Sequence, residues 1–240
     1  MRSPAEAVRG LAAAAPPHAG PVVVGIAGGV ASGKTVLAEE LRAALGPASV
    51  DVVSTDGFLL PNRGLAERGL AARKGFPESY DLAALRAFVV AARAGRLPRR
   101  VPHYSHRIYD VDGDREVPAV DVLVVEGVNV LAAVPDLLDV AVYVEVDETL
   151  LESWFRQRFL ALVAAGRDDP ASFYRSLASM GDEALAALAD QVWRGVNLVN
   201  LREHVAPSRR HADLVITKGP DHTVLDVEVR DDGRRPVEEA

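Results

Sequence analysis

The stretch Val22-Val23-Val24-Gly25-Ile26-Ala27-Gly28-Gly29-Val30-Ala31-Ser32-Gly33-Lys34-Thr35 decides the fold. Val22–Ile26 is an apolar run rich in β-branched residues, as suits a strand buried on both faces of a parallel sheet. From Gly28 the chain fits the pattern G-x-x-x-x-G-K-[ST]. Thr35–Leu45 then reads as a helix, stopped by Gly46-Pro47. Strand, glycine-rich turn and helix in this order make a phosphate cradle. The glycines let the backbone curl until its N–H groups face phosphate oxygens. The helix N-terminus adds partial positive charge. Lys34 reaches the β- and γ-phosphates of ATP as a point charge, and Thr35 offers a hydroxyl to Mg²⁺. Gly28, Gly29, Val30, Ala31, Ser32 and Gly33 complete the expected ATP-binding loop. The motif specifies a nucleotide and not yet a reaction.

Outward from this loop, strands and helices alternate. Val50–Ser54, Val120–Val125, Val140–Val146 and Leu214–Thr217 read as strands, with Thr223–Val229 at an edge. Asp81–Ala94, Thr149–Ala164 and Asp182–Val199 read as helices. The pattern predicts an α/β, three-layer P-loop NTPase fold with a mostly parallel central sheet flanked by helices. Residues 21–230 form the expected domain. Residues 1–20 are an Ala/Pro-rich extension, expected as a short helix (Pro4 to Leu11) and a linker, loosely attached. Residues 231–240 are expected as a polar tail.

Composition narrows the function classes. A chain of 240 residues holds one domain with a sizeable core. Net charge is −7, so nucleic acid is a poor partner. With no cysteine there is no disulfide, thiolate zinc site or cysteine nucleophile. No leader pattern and no apolar run of about 20 residues is visible, so a cytoplasmic location and no membrane partner are expected.

Two acidic residues follow strand ends, where ligands bind in open α/β sheets. Asp56 follows the second strand in Asp56-Gly57-Phe58. A carboxylate there can take the proton of an attacking hydroxyl; it can equally be a turn aspartate before glycine. Glu126 closes the third strand. It reads as the second element of a magnesium site, against a buried structural glutamate.

Several further strings carry a family resemblance. They are Thr55–Asn62 (TDGFLLPN), Glu67–Leu70 (ERGL), Lys74–Asp81 (KGFPESYD) and Tyr104–Asp110 (YSHRIYD). Val125–Leu131 (VEGVNVL), Asn197–Leu201 (NLVNL) and Thr217-Lys218 followed by His222 belong with them. Together, from about Val22 to Val229, they resemble bacterial type I pantothenate kinases. Phosphoribulokinases and uridine kinases share the loop but not these strings. The resemblance implies transfer of the ATP γ-phosphate to pantothenate, the first step of coenzyme A synthesis, by a homodimer that coenzyme A inhibits. It implies Asp56 as general base, with Lys34 and Arg158 stabilising the transferring group. Tyr104, His106, Tyr109 and Asn197 are implied as acceptor-pocket residues, and His222 as an adenine or coenzyme A contact.

The chain departs from that pattern at specific points. Phe155 stands where the family has a substrate-bonding tyrosine. Leu162, Arg167 and Tyr174 replace a run of phenylalanines. Arg167 is expected in solvent beside Asp168 and Asp169. Glu39 replaces an arginine tied to coenzyme A phosphates, and a carboxylate there repels phosphate, so weak coenzyme A inhibition is expected. The N-terminal region is shorter than is usual in the family. These departures keep a second reading open, a kinase of this fold with another hydroxyl acceptor, such as a nucleoside or biosynthetic intermediate. A third is a nucleotide-binding regulator without transfer.

Other motifs point away from different chemistries. Thr217-Lys218-Gly219-Pro220-Asp221 is one residue too long for the guanine-reading T-K-x-D. His103 and His106 lack a second ligand cluster for zinc. Asp110, Asp112 and Asp114 alternate as in a calcium loop, but Arg115 sits where glycine is required. A polar hairpin turn around Asp112-Gly113 is the plainer expectation.

Overall fold

The computed structural model describes residues 2–230. Helix α1 (Pro4–Ala14) begins with a capping box: Ser3 caps the Glu6 N–H and Glu6 returns a bond to the Ser3 N–H. Strand β1 (Val22–Gly28) leads through the glycine-rich loop into α2 (Lys34–Leu45). Strand β2 (Val50–Ser54) is followed by a 3₁₀ turn at Thr55–Phe58, then α3 (Asn62–Glu67) and α4 (Leu82–Arg93). Strands β3 (Arg99–Ser105) and β4 (Asp110–Val117) pair as an antiparallel hairpin. There follow β5 (Val122–Glu126), α5 (Val130–Ala133), β6 (Val140–Val146), α6 (Glu148–Gly166) and α7 (Asp182–Val192). Helix α7 continues through π-helical turns at Trp193–Asn197 and Leu201–Val205, with one α-turn, Leu198–Asn200, between them. Strands β7 (Leu214–Lys218) and β8 (Val224–Val229) complete the described chain.

The main sheet has the order β2-β5-β1-β6-β7-β8. All pairings are parallel except β7 with β8. The three-layer expectation holds: the inner strands are buried on both faces, and helices cover each face. One layer of core packs Val23, Leu123, Val125, Ala141 and Val215 against Leu85, Phe88 and Trp193. The other packs Val24, Ile26, Val124, Val142 and Ile216 against α2 and α1. Odd and even strand residues divide between the layers, as a two-residue side-chain period requires.

Two expectations are corrected. The N-terminal segment is not loosely attached. Ala7 and Val8 of α1 are 1% and 0% exposed and complete the second core layer. His18 Nε2 donates to Asp139 Oδ2 at 2.9 Å. That carboxylate is itself 3% exposed and also binds the Val23 N–H at 2.7 Å and Arg93 Nη1 at 2.6 Å. A buried carboxylate needs such partners, because leaving it bare costs several kcal/mol. The segment therefore helps to pin the start of β1 to the start of β6.

The second correction concerns the hairpin. Its turn lies at His106–Tyr109, with Tyr109 at φ +55°, and Asp112 and Gly113 lie inside β4. Gly113, at φ +67°, absorbs an irregularity in the ladder near Pro102–Tyr104 instead of forming the turn. Arg115 fastens the hairpin to the sheet edge, binding Asp51 Oδ2 at 2.8 Å and the Val52 carbonyl. The polar segment 231–240 lies outside the described residues.

Candidate active site

The carboxyl ends of β1, β2 and β5 converge on a cavity of about 540 Å³. Its floor is the phosphate loop. Gly33 sits at φ +81°, where a side chain is strained, and an added Cβ would also press on Lys218 Nζ. Lys34 is 8% exposed and its Nζ donates to the Gly28 and Gly29 carbonyls at 3.1 and 2.8 Å. Burial lowers its pKa, while Glu126 and Asp56 pull the other way. Ser32 is fully buried beneath the loop. Val30, Ala31, Lys34 and Thr35 line the cavity; Gly28, Gly29, Ser32 and Gly33 of the same loop are not among the lining residues.

Asp56 and Glu126 arrive from adjacent strands, since β2 pairs with β5 and Ser54 is level with Glu126. Both line the cavity beside Lys34 and Thr35. Burial raises the Glu126 pKa; Lys34 and hydrogen bonds with Ser54 and Thr35 oppose that rise. Glu126 and Thr35 thus share one hard-oxygen corner next to the loop. That donor set fits Mg²⁺, which takes one or two protein oxygens and completes its shell with phosphate and water. Close backbone approach builds this corner. A Cβ on Gly127 would collide with Thr55 Oγ1, and one on Gly57 with the Pro102 carbonyl oxygen.

The hairpin supplies the opposite wall. Tyr104, His106 and Tyr109 line the cavity, with Tyr104 edge-on to both of the others at 5.2 and 6.2 Å. Arg158 of α6 lies 3.4 Å from His106 Nε2 through its Nη2. Burial, then Arg158, lowers the His106 pKa, so the ring is neutral near pH 7. With Nε2 accepting from a guanidinium, Nδ1 carries the proton. The hairpin tip is tied down by Arg107, whose guanidinium binds Asp169 at 2.5 and 2.8 Å and holds that carboxyl at about 2. The Phe173 ring stacks on Tyr109 at 4.8 Å.

Phe155, Phe159, Leu162 and Tyr174 form an apolar end, with Asn197 beside them. Arg167 is exposed, as its neighbours Asp168 and Asp169 suggested. His222 is not among the lining residues. It stands at φ +60° with its ring 3.8 Å from that of Trp154. The structure therefore brings together every expected acceptor-side residue and leaves His222 outside this cavity.

Four residues escaped the sequence reading. The phenol of buried Tyr80 donates to Asp56 Oδ1 at 3.2 Å. Lys74 donates to Asn62 Oδ1 and to the Tyr109 carbonyl, both at 2.6 Å, with its ammonium 3.9 Å from the Tyr109 ring. Burial lowers its pKa to about 8. Asn200 lines the cavity at 5% exposure. Lys218 approaches the Gly33 carbonyl at 3.4 Å. All four sat inside strings that carry the family resemblance, and lysine is scarce in this chain, which was the available signal.

Fold and site define a P-loop kinase. The Phosphoribulokinase / Uridine kinase family matches residues 23–159. A D-glycerate 3-kinase from Cryptococcus neoformans shares the fold with a TM-score of 0.62 at 14% identity, over 94% of this chain and 97% of its own. Sequence relatives are more specific. A pantothenate kinase from Sorangium cellulosum is 45% identical over 88% of this chain and 73% of its own length. Another from Xanthobacter autotrophicus is 42% identical over 88% of this chain and 71% of its own. The chain belongs to the pantothenate kinase family and is a kinase.

Proposed function

We propose that the enzyme transfers the γ-phosphate of ATP to the 4′-hydroxyl of pantothenate. One observation carries this reading: the Asp56 carboxylate stands at the junction of the phosphate loop and a wall of phenol, imidazole and amide groups. Pantothenate is a hydroxylated amide with a terminal carboxylate, and such a wall offers the kinds of donor and acceptor it needs.

Asp56 receives the hydroxyl proton, and Tyr80 fixes the orientation of the carboxylate. Lys34, released from the loop carbonyls, meets the transferring group. Arg158 spreads positive charge over its equatorial oxygens. Neutral His106 donates through Nδ1 toward the acceptor. Thr35 and Glu126 would hold Mg²⁺, which supplies charge neutralisation between the phosphates. The apolar face of Phe155 and Leu162 shapes the acceptor end, where a tyrosine hydroxyl is absent.

Coupled ADP release with pantothenate, and then with a nucleoside panel, tests the proposal. Turnover with pantothenate that disappears in Asp56→Ala is the expected result. Turnover with a nucleoside alone, or ATP binding without any turnover, overturns it.

A further inference from the structure

Asn200 is the more buried of the two asparagines lining the cavity, and one half of its amide is committed. Its Nδ2 donates to the Gly75 carbonyl at 2.8 Å, across 125 residues of sequence. A carbonyl can only accept, so this bond fixes which end of the side-chain amide faces Gly75. The Oδ1 end must then face away from it. That oxygen is buried and has no hydrogen-bond partner among the described residues. The residue is only 5% exposed and lines the acceptor cavity. An amide oxygen stranded in this way is costly, unless a ligand donor meets it.

The helix around Asn200 reinforces the point. Asn197 lies one turn earlier and lines the same cavity, and its Nδ2 is likewise buried without a partner. The two asparagines thus offer different chemistry. Asn197 has an uncommitted donor. Asn200 has an uncommitted acceptor whose orientation is locked. Tyr104, Tyr109 and Asn197 can each donate to an acceptor molecule. Asn200 alone among the wall amides is compelled to accept.

We infer that Asn200 is a specificity-determining residue that accepts a hydrogen bond from an N–H of the phosphoryl acceptor. This rests on the proposed reading of the substrate as pantothenate, whose single amide N–H is the donor. The residue thereby selects amide-linked acceptors over isosteric esters, which have no N–H. The ester is disfavoured because it leaves the buried oxygen stranded.

The test compares pantothenate with its ester isostere, in which the amide N–H is replaced by oxygen. In the wild type the ester should show a KM raised about tenfold, with kcat within about twofold. In Asn200→Ala the KM for pantothenate should rise to that of the ester, and the two acceptors should become equivalent. Loss of the Gly75 tether affects both acceptors alike, so the ratio isolates the N–H contact. Asn200→Leu, which keeps the side-chain volume but has no acceptor, serves in the same ratio if the alanine variant does not fold. An unchanged preference for the amide in either folded variant overturns the inference, as does equal KM for both acceptors in the wild type. Absence of any pantothenate turnover in the wild type instead removes the substrate reading, and the inference with it.

Discussion

Tyr80 donates its phenol hydrogen to Asp56 Oδ1 at 3.2 Å, and this bond orients the proposed base. Burial and the neighbouring carboxylate push the Tyr80 pKa well up, so the phenol stays protonated and remains a donor across the working pH range. Removing the hydroxyl should disturb orientation more than binding. Tyr80→Phe is expected to lower kcat about tenfold, since hydrogen bonds to charged groups are worth about 1.5–3 kcal/mol. The KM for ATP should hold. Asp56→Asn should cost about 10²–10⁴ in kcat, the range for a general base. Steady-state kinetics of the two variants, with ATP affinity measured by calorimetry, check both values.

Lys74 sets a limit on the alkaline side. Its pKa is lowered to about 8, first by burial. Below that pH the ammonium holds Asn62 and the strained Tyr109 carbonyl; above it one proton leaves and the clamp weakens. Acceptor kcat/KM should therefore fall above about pH 8, and Lys74→Arg should remove that limb. The stability sign is opposite. The unfolded lysine keeps its proton up to about 10.4, so between the two values the unfolded state binds more protons and stability rises with pH. A pH–rate profile and denaturant titrations at pH 7 and 9.5 separate the two effects.

Gly127→Ala tests the close packing under the metal corner. The new Cβ collides with Thr55 Oγ1, which is itself buried. Overpacking of this kind costs about 1–3 kcal/mol. For a chain of this size each kcal/mol lowers Tm by about 2–4 °C. Because Thr55 precedes Asp56, kcat should fall even at temperatures where the variant is fully folded. Calorimetry with kinetics at 25 °C provides the comparison.

The N-terminal helix should prove integral. Val8→Asp places a carboxylate in a layer with no partner for it, and should cost more than about 2 kcal/mol. A dispensable helix would give a change within about 0.5 kcal/mol, as exposed sites do. Urea unfolding distinguishes these outcomes.

Glu39 is exposed on α2 and pairs only weakly with Arg42, at 3.5 Å. The resemblance to pantothenate kinases implies an arginine tied to coenzyme A phosphates at this position, and a carboxylate there repels phosphate. Coenzyme A should inhibit weakly, and Glu39→Arg should tighten inhibition severalfold at low salt. Strong ATP-competitive inhibition of the wild type at micromolar coenzyme A would contradict this.

Local patterns carried much of this architecture. The β-branched run before Gly28, the G-x-x-x-x-G-K-[ST] spacing and the alternation of strands with helices depend on near neighbours, so they were legible in one dimension. The errors arose where partners are distant in sequence. Nothing near Val8 shows that it will meet the sheet, and nothing near Asp112-Gly113 shows that the hairpin turns instead at Tyr109. Tyr109 accepts a positive φ because Asn62 and Lys74 bind its carbonyl from other elements. Tyr80, Lys74 and Asn200 were missed for the same reason, as each acts through a partner 24 to 125 residues away.

The nucleotide loop, the α/β class and the resemblance to pantothenate kinases were legible in the chain alone, because those rest on short-range spacing and the residues' own chemistry. Tertiary structure alone decided how the acceptor half is built. Register between β2 and β5 sets Asp56 beside Glu126, the hairpin's tether to Asp51 sets Tyr104 and His106 opposite them, and the Gly75 carbonyl fixes which face of Asn200 remains. These follow from long-range packing and hydrogen-bond satisfaction, which no local stretch of the chain encodes.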